Sequence, residues 1–207
     1  MARVTAEEAA RTRERLLDAA LEVFWEHGVA RPSLTKVAER AGMTRGAIYG
    51  HFDNKEDVFS ALCDRFLLPA AVLEQLRQDG ADDPLGTLVA WVQSILRDAR
   101  ADPCRRRFFE ILLLKCEAVE GDDIRGRMRR DFERARLHEE ALLCAAVRQG
   151  QVPADLDVPL AALILHATIG GLLRHLALHP EAEADLLVER IGGLVCDMLR
   201  GEALRRA

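Results

Sequence analysis

Apolar residues recur at spacings of three and four along most of the chain, which is the period of an amphipathic α-helix. Between residues 5 and 27 the spacing is carried by Leu17, Ala20, Leu21 and Phe24. Gly28 follows this helix as a C-cap. The same period predicts helices over about 54–69, 85–100, 103–117, 123–149, 157–178 and 182–199, with breaks at Pro69, Gly121 and Pro180. Because no alternating pattern indicates a strand, the sequence predicts an all-α fold of about nine helices.

Two shorter helices are predicted to form a helix-turn-helix. The first runs from Ser33 to Ala41, Gly42 and Met43 supply a sharp turn, and Thr44 caps the second. In the second helix Ile48 and Phe52 are four residues apart, so both are expected to pack inward. Their predicted neighbours are Leu34, Val37 and Ala38. The outward positions then carry polar, aromatic and cationic side chains, as a DNA-binding face requires.

The chemistry of these outward positions predicts individual DNA contacts. Arg45 is expected to reach a base edge or a phosphate, whereas Tyr49, His51 and Lys55 are expected to contact phosphates. The simplest alternative is an ordinary solvated surface, with Tyr49 packed on the helices. The complete set of predicted DNA-binding residues is Ser33, Thr35, Thr44, Arg45, Gly46, Tyr49, His51 and Lys55.

The charge is distributed unevenly along the 207 residues. Residues 1–55 hold nine Lys and Arg against eight Asp and Glu, a balance of +1. Residues 56–207 hold 20 against 26, a balance of −6, which together give the net charge of −5. The pattern therefore predicts a DNA-binding head at residues 1–55 and an acidic helical body at residues 56–207.

An ordered set of short motifs spans about fifty residues of the head. The motifs are Thr12 to Ala20, Gly28-Val29-Ala30, Leu34 to Ala38, Gly42 to Tyr49, His51-Phe52 and Asn54-Lys55-Glu56. In this order and spacing they resemble the tetracycline-repressor (TetR) family. The body adds a weaker set, Arg105-Arg106-Arg107, Glu110-Ile111-Leu112, Lys115-Cys116-Glu117 and Arg148 to Pro153, which resembles the AcrR/TtgR group of multidrug-efflux repressors.

The resemblance implies a homodimer that blocks a promoter and releases DNA when a ligand enters the body. It makes residues 56–207 a ligand-binding and dimerisation domain, with operator DNA and a small lipophilic effector as partners. The chain departs from the family pattern at Gly50, where relatives usually carry Trp. It also departs at Phe109 and Leu113, where polar residues are expected, and at Gly170, where an acidic residue is expected. Operator affinity and drug specificity therefore do not transfer from the relatives.

The middle helices contain the side chains predicted to line the ligand site. They form an aromatic and apolar set with one polar member: Trp91, Phe108, Phe109, Leu112, Leu113, Met128, Phe132, His166, Ile169 and Leu173. Such sets also occur in simple hydrophobic cores. The sequence stripe contains no carboxylate, so we expect a neutral or weakly charged aromatic effector rather than a strongly cationic dye.

The last two helices are predicted to form the dimer interface. Small residues in helix 157–178 permit close helix approach, and both helices supply apolar area for a four-helix contact. The predicted interface residues are Leu160, Ile164, Ala167, Gly171, Leu187, Ile191, Leu194, Val195 and Met198.

Several classes of protein are disfavoured by the sequence. It contains no nucleophile motif, no HExxH and no glycine-rich phosphate loop, so an enzyme is not expected, nor is a cofactor. His175 and His179 are four apart but lack a third partner, so no metal site is predicted. No apolar run approaches the ~20 residues that span a bilayer, and no secretory signal is evident, which predicts a cytoplasmic protein without membrane contact.

Three alternatives stay open at this level. The five cysteines are scattered, which favours buried thiols, although one redox-sensing thiol is the competing interpretation. The head would equally serve a ligand-independent structural DNA-binding protein. A TetR-type regulator of a metabolic operon would share both head and body.

Overall fold

The computed structural model describes residues 5–67, 82–116, 122–179 and 184–206. Within these ranges it contains nine α-helices: α1 (Ala6–His27), α2 (Leu34–Arg40), α3 (Arg45–Tyr49), α4 (Lys55–Phe66), α5 (Pro84–Ala101), α6 (Pro103–Glu110), α7 (Asp122–Arg148), α8 (Val158–Leu178) and α9 (Ala184–Arg200). A π-helical turn, Ile111–Lys115, follows α6, and a 3-10 turn, Glu202–Leu204, follows α9. The described residues form no strand beyond one isolated bridge between Leu156 and Arg205. The all-α prediction is confirmed, and the breaks predicted at Pro69, Gly121 and Pro180 lie outside the described residues.

The helices begin where the sequence places capping side chains. Ser33 accepts a hydrogen bond from the Lys36 N–H, and Asn54 accepts one from the Asp57 N–H. Thr5 forms a reciprocal capping box with Glu8, whose carboxylate also accepts from the Thr5 N–H. Each of these bonds satisfies a backbone donor that the first turn of a helix leaves unpaired. The predicted helix starts are therefore fixed by local hydrogen bonding.

The chain packs into two compact units. The first unit comprises Met1–Leu67 and Arg107–Arg127, and the second comprises Leu68–Arg106 and Met128–Ala207. These units are defined by packing, whereas the division predicted at residue 55 concerns which part binds DNA and stays a prediction. The core of the first unit includes Leu16, Leu17, Phe24, Ile48, Phe59 and Leu62.

The second unit contains a close contact between α9 and α5. A Cβ built on Gly192 would lie 2.8 Å from Val89 Cγ1, so the absence of a side chain lets the two helices approach. Apolar burial then holds the helices together. The buried residues of this unit include Leu88, Leu96, Leu142, Leu165 and Leu199.

Helix α8 is an exception to the expectation that no apolar run is long enough to span a bilayer. Val158–Leu178 is long and apolar enough to cross a membrane by length and composition alone, and a third of its most apolar window is buried in the protein. Its buried side chains follow a helical face and belong to the core of the second unit. They are Val158, Ala161, Ala162, Leu165, Ile169, Leu173 and Leu176. The remaining apolar side chains of α8 are exposed or half-buried, which bears on the proposed dimer below.

Candidate DNA-binding surface and ligand site

The turn between α2 and α3 has the geometry that the sequence predicts. Gly42 adopts a φ of 67°, in the left-handed region that glycine enters without a Cβ penalty. The Met43 N–H donates to the Ala38 carbonyl at 2.8 Å, and Thr44 caps α3 by accepting from the Ala47 N–H. The inward residues of the motif are buried as predicted: Leu34, Val37, Ala38, Ile48 and Phe52.

One face of α3 is exposed and carries the predicted base-reading residue. Thr44, Arg45, Gly46 and Tyr49 all reach solvent. The guanidinium carbon of Arg45 lies 5.5 Å from the centre of the Tyr49 ring, within the range of a cation–π interaction. Arg45 and Tyr49 therefore form a continuous cationic and aromatic surface. Their contact with DNA stays a prediction.

The remaining predicted DNA-binding residues are less exposed or already hold a hydrogen bond. Thr35 and His51 are half-buried, and the Ser33 hydroxyl serves as the α2 cap. The Lys55 ammonium donates to the Ala30 carbonyl at 2.5 Å. An ammonium carries three N–H donors, so this bond leaves two for a phosphate. We keep all four as predicted contacts.

The position of Gly50 is sterically ordinary. Its φ of −77° and ψ of −11° are open to any residue. A Cβ there would lie 3.4 Å from the Ala47 carbonyl oxygen, which is a normal van der Waals distance. The backbone therefore does not require glycine here, and the departure from the family pattern has no explanation in the fold.

Three arginines join α1 to other parts of the head. Arg40 of α2 pairs with Glu22 at 3.0 Å and with Glu26 at 2.5 Å on α1. Hydrogen bonding to Arg40 lowers the pKa of the Glu26 carboxyl. Arg15 donates to the Ala41 carbonyl at 3.2 Å, and Arg65 of α4 pairs with Asp18 at 2.6 Å. The contacts of Arg40 and Arg15 hold α2 and its C-cap residue against α1, and the Arg65 pair joins α4 to α1.

The segment 107–116 packs on α1 and α4 within the first unit. The Trp25 ring lies 4.9 Å from the guanidinium carbon of Arg107 and 5.2 Å from the Lys115 Nζ, and its indole N–H donates to Glu110. Phe108 stacks on Phe66 with ring centres 5.0 Å apart. Four residues predicted to line the ligand site lie in this segment: Phe108, Phe109, Leu112 and Leu113. The first three are buried, and their contact with an effector stays a prediction.

The other six predicted ligand residues lie in the second unit, where three helices supply polar and aromatic groups. The Phe132 ring of α7 lies edge-on to His166 of α8, with ring centres 5.6 Å apart. Trp91 of α5 lies edge-on to His138 of α7 at 5.9 Å. Ile169 and Leu173 follow His166 along α8 and are buried, whereas Met128 on α7 is half-buried.

The structure adds a carboxylate that the sequence prediction missed. Glu139 of α7 is 0% exposed, and its Oε1 lies 3.1 Å from His166 Nδ1. The expectation that no carboxylate lies in this stripe is therefore wrong. Glu139 follows Phe132 by seven residues, or two helical turns, so it shares that face of α7. The helical period alone gives the face of α7 on which Glu139 lies, but it does not show that this face is buried at Glu139.

The environment of Glu139 disfavours its charge. Burial raises the pKa of the Glu139 carboxyl, because a low-dielectric interior stabilises an ion poorly, and His166 opposes this shift. The second carboxylate oxygen, Oε2, is buried without a hydrogen-bond partner among the described residues. The indole N–H of Trp91 is likewise buried without a hydrogen-bond partner among the described residues. The second unit thus contains a buried acceptor and a buried donor beside aromatic rings.

The five cysteines differ in exposure: Cys144 is exposed and Cys104 and Cys196 are half-buried, so the redox-sensing interpretation stays open for these three. Cys63 and Cys116 are buried, and burial raises the pKa of the Cys116 thiol to about 12, which disfavours the reactive thiolate. No group of three or more His, Cys, Asp or Glu side chains with metal-binding geometry occurs in the described part of the chain.

The predicted dimer residues divide into two groups. Leu160, Ala167, Gly171 and Leu194 are exposed, the last by 56%, while Ile164, Leu187 and Met198 are half-buried. Ile191 and Val195 are only 3% and 2% exposed, because this side of α9 belongs to the protomer core. The prediction that these two side chains face a partner is therefore corrected. The other seven stay predicted interface residues.

Comparisons with known proteins cover both parts of the chain. Residues 16–62 match the family described as "Bacterial regulatory proteins, tetR family". Residues 83–196 match "MAATS-type transcriptional repressor, C-terminal region". The first match contains the whole helix-turn-helix, and the second contains Trp91, Glu139 and His166.

Individual relatives agree with these matches. The HTH-type transcriptional regulator TtgR of Pseudomonas putida is 38% identical over 212 aligned positions, covering 100% of both chains. The structure of NalD, the secondary repressor of the MexAB-OprM multidrug efflux pump in Pseudomonas aeruginosa, has a TM-score of 0.81 at 28% identity, covering 94% of this chain and 99% of NalD. A complex of SmeT with triclosan has a TM-score of 0.79 at 35% identity, covering 91% and 90%. The chain belongs to the TetR family of bacterial transcriptional regulators.

Proposed function

We propose that this regulator is a dimeric repressor that binds a palindromic operator of an efflux operon and leaves it when a lipophilic small molecule binds the body. The observation that carries the proposal is the likeness to TtgR over the full length of both chains. NalD, whose structure covers most of this chain, is described as a repressor of a multidrug efflux pump. The likeness includes the body, where regulators with different effectors would be expected to diverge.

The exposed face of α3 supports operator binding. Arg45 presents a planar guanidinium, which can hydrogen-bond two acceptors on the major-groove edge of guanine. Tyr49 and Lys55 add phosphate contacts that fix the position of α3 in the groove. Two heads in a symmetric dimer would bind two half-sites about one helical turn apart or somewhat more.

The exposed apolar residues of α8 and α9 support dimerisation. Leu160, Leu163 and Leu194 are all large, apolar and exposed in the single chain. Ala167 and Gly171 lie on the exposed side of α8, where small side chains permit a second helix to approach. A two-fold contact between these faces would bury the apolar half of α8 that the protomer leaves uncovered.

Release requires a difference in affinity between two conformations. An effector that binds both the operator-binding form and the released form equally shifts nothing. A coupling free energy of about 1–3 kcal/mol would weaken operator binding some 5- to 150-fold. The effector site is proposed to lie in the body, at the aromatic and polar groups around Phe132, Glu139 and His166.

The direct test is binding of full-length protein to the DNA upstream of its own gene. Fluorescence anisotropy at fixed salt would compare this DNA with a random duplex, with and without a panel of lipophilic antibiotics and plant phenols. We expect specific binding that at least one compound weakens by fivefold or more. Specific binding that no compound changes would favour a structural DNA-binding protein, and a neighbouring metabolic operon would favour the metabolic regulator.

A further inference from the structure

Burial of the Glu139 carboxylate in the protein interior costs folding free energy. Its side chain is completely buried, one oxygen contacts His166, and Oε2 lacks a hydrogen-bond partner among the described residues. Leaving a charged acceptor unpaired in the interior costs more than leaving a neutral one, because water can no longer solvate it. A glutamine or leucine would fit an ordinary core better. The carboxylate therefore requires a reason beyond packing.

The neighbouring arginine does not supply a close partner. Arg136 lies one helical turn before Glu139 on α7 and forms an ion pair with Glu133 at 2.6 Å and a second with Glu140. Its guanidinium is thus held by two other carboxylates of the same helix. The His166 contact is the hydrogen bond that the structure gives to Glu139, and it occupies Oε1 alone.

The surroundings of the pair suit an apolar ligand body. Phe132 lies against the His166 ring and is 37% exposed, so an aromatic surface reaches solvent beside the pair. Ile169 and Leu173, one and two turns along α8 from His166, add aliphatic surface. Apolar and aromatic side chains beside a few polar groups are the usual lining of drug-sized ligand sites.

We propose that the Glu139–His166 pair is a cation-selective subsite of the effector site, and that it favours lipophilic amines carrying a protonated nitrogen. The ammonium N–H would donate to Oε2, while the His166 contact holds the carboxylate in place through Oε1. Charge-assisted hydrogen bonds are roughly twice as strong as neutral ones, so an amine gains more than an alcohol of the same shape. A carboxylate headgroup is repelled. This subsite rests on the proposed function, since it presumes that the body binds an effector.

The test uses three probes that share one body and differ in the headgroup: 4-phenylbutylamine, 4-phenylbutanol and 4-phenylbutyrate. Calorimetry on the full-length parent should rank them amine, alcohol, carboxylate, with about a tenfold or larger gap between amine and alcohol. In Glu139→Gln the amine should lose this advantage, because the amide is neutral and nearly the same shape. The alcohol measured on the same variant shows whether the site is still formed.

Glu133→Gln is the matched control, because Glu133 lies on the same helix, is exposed and pairs with Arg136. This control should keep the parental ranking. His166→Asn is the second variant, and it should reduce the amine preference by releasing the carboxylate. Equal binding of amine and alcohol to the parent, or an unchanged amine preference in Glu139→Gln, overturns the subsite. Specific operator binding by the parent without probes, measured in parallel, tests the proposed function separately.

Discussion

The predicted functional residues of the head lie close together in the sequence, whereas those of the body are far apart. In the head, the helix-turn-helix and its caps occupy one continuous stretch from Ser33 to Asp57. In the body, Trp91, Glu139 and His166 come from three helices separated by tens of residues. A short segment thus specifies the DNA-binding surface, whereas long-range packing creates the surroundings of the proposed effector site.

The two regions also treat polar groups differently. The capping hydroxyls of Ser33 and Thr44 and the side-chain amide of Asn54 each accept a hydrogen bond from a backbone N–H, and Arg45, the predicted base contact, is exposed. The body instead contains buried polar atoms at Glu139 and Trp91 with no hydrogen-bond partner in the described residues. We expect this contrast if the helices of the head are fixed before DNA binds and if a ligand supplies the missing hydrogen-bond partners in the body.

The largest effect is expected from a variant that breaks the proposed dimer, because the body would supply the dimer contacts and the head would need two copies to bind an operator. Leu194→Asp should raise the dimer dissociation constant at least a hundredfold, because a partner would have to bury an unpaired charge at a cost of about 3 kcal/mol or more. Sedimentation would detect the monomer. Leu137→Asp, at another exposed leucine outside the predicted interface, is the control and should remain dimeric. A dimeric Leu194→Asp variant places the interface elsewhere.

A smaller effect is expected from removing the proposed base contact. Arg45→Ala should cost about 1–3 kcal/mol on the specific operator and relax the preference at one base position. Anisotropy on the operator and on single-base variants measures both quantities. The same substitution at the exposed Arg97 of α5 should change neither. If Arg45→Ala weakens specific and random DNA equally, Arg45 contacts a phosphate instead.

Lys55→Ala should sharpen the distinction between base and phosphate contacts. Loss of one phosphate contact should weaken binding to all sequences alike and reduce the salt dependence by about one ion. The lost Lys55–Ala30 hydrogen bond is a structural effect, so the thermal midpoint should be measured alongside. A sequence-selective loss of affinity would contradict the phosphate assignment.

The contributions of two α7 glutamates, Glu139 and Glu133, to the free energy of unfolding should depend on pH in opposite directions. Burial raises the pKa of Glu139 in the folded chain, so folding favours its protonated form, and stability falls as pH rises above the usual carboxyl pKa. Glu139→Gln should therefore stabilise the protein relative to the parent at pH 8 and much less at pH 4.

Glu133 provides the opposite case. Its pKa is lowered by Arg136, so its contribution to stability is present above the usual carboxyl pKa and is lost in acid. Glu133→Gln should slightly destabilise the protein at pH 8. Urea unfolding at equal protein concentration measures both variants. The same pH dependence in the two variants would mean that burial does not govern the titration of Glu139.

The sequence predicts the head more fully than the body for a physical reason. The capping roles of Ser33, Thr44 and Asn54 depend on residues within one helical turn, so a local pattern suffices. The face of α9 depends on contacts with α5, and without them Ile191 and Val195 are indistinguishable from the exposed Leu194. Glu139 shares the face of Phe132, yet only the packed helices show that this face is buried at Glu139. Long-range contacts decide both cases.

In the proposed mechanism, effector and operator each weaken the binding of the other, so the two effects must be equal in size. One titration measures operator affinity with and without saturating effector, and another measures effector affinity with and without saturating operator. Thermodynamic linkage requires the same factor in both, and we predict a weakening of about 5- to 150-fold. A factor of one in both titrations, with effector and operator each bound, would mean that the ligand does not regulate DNA binding by this protein.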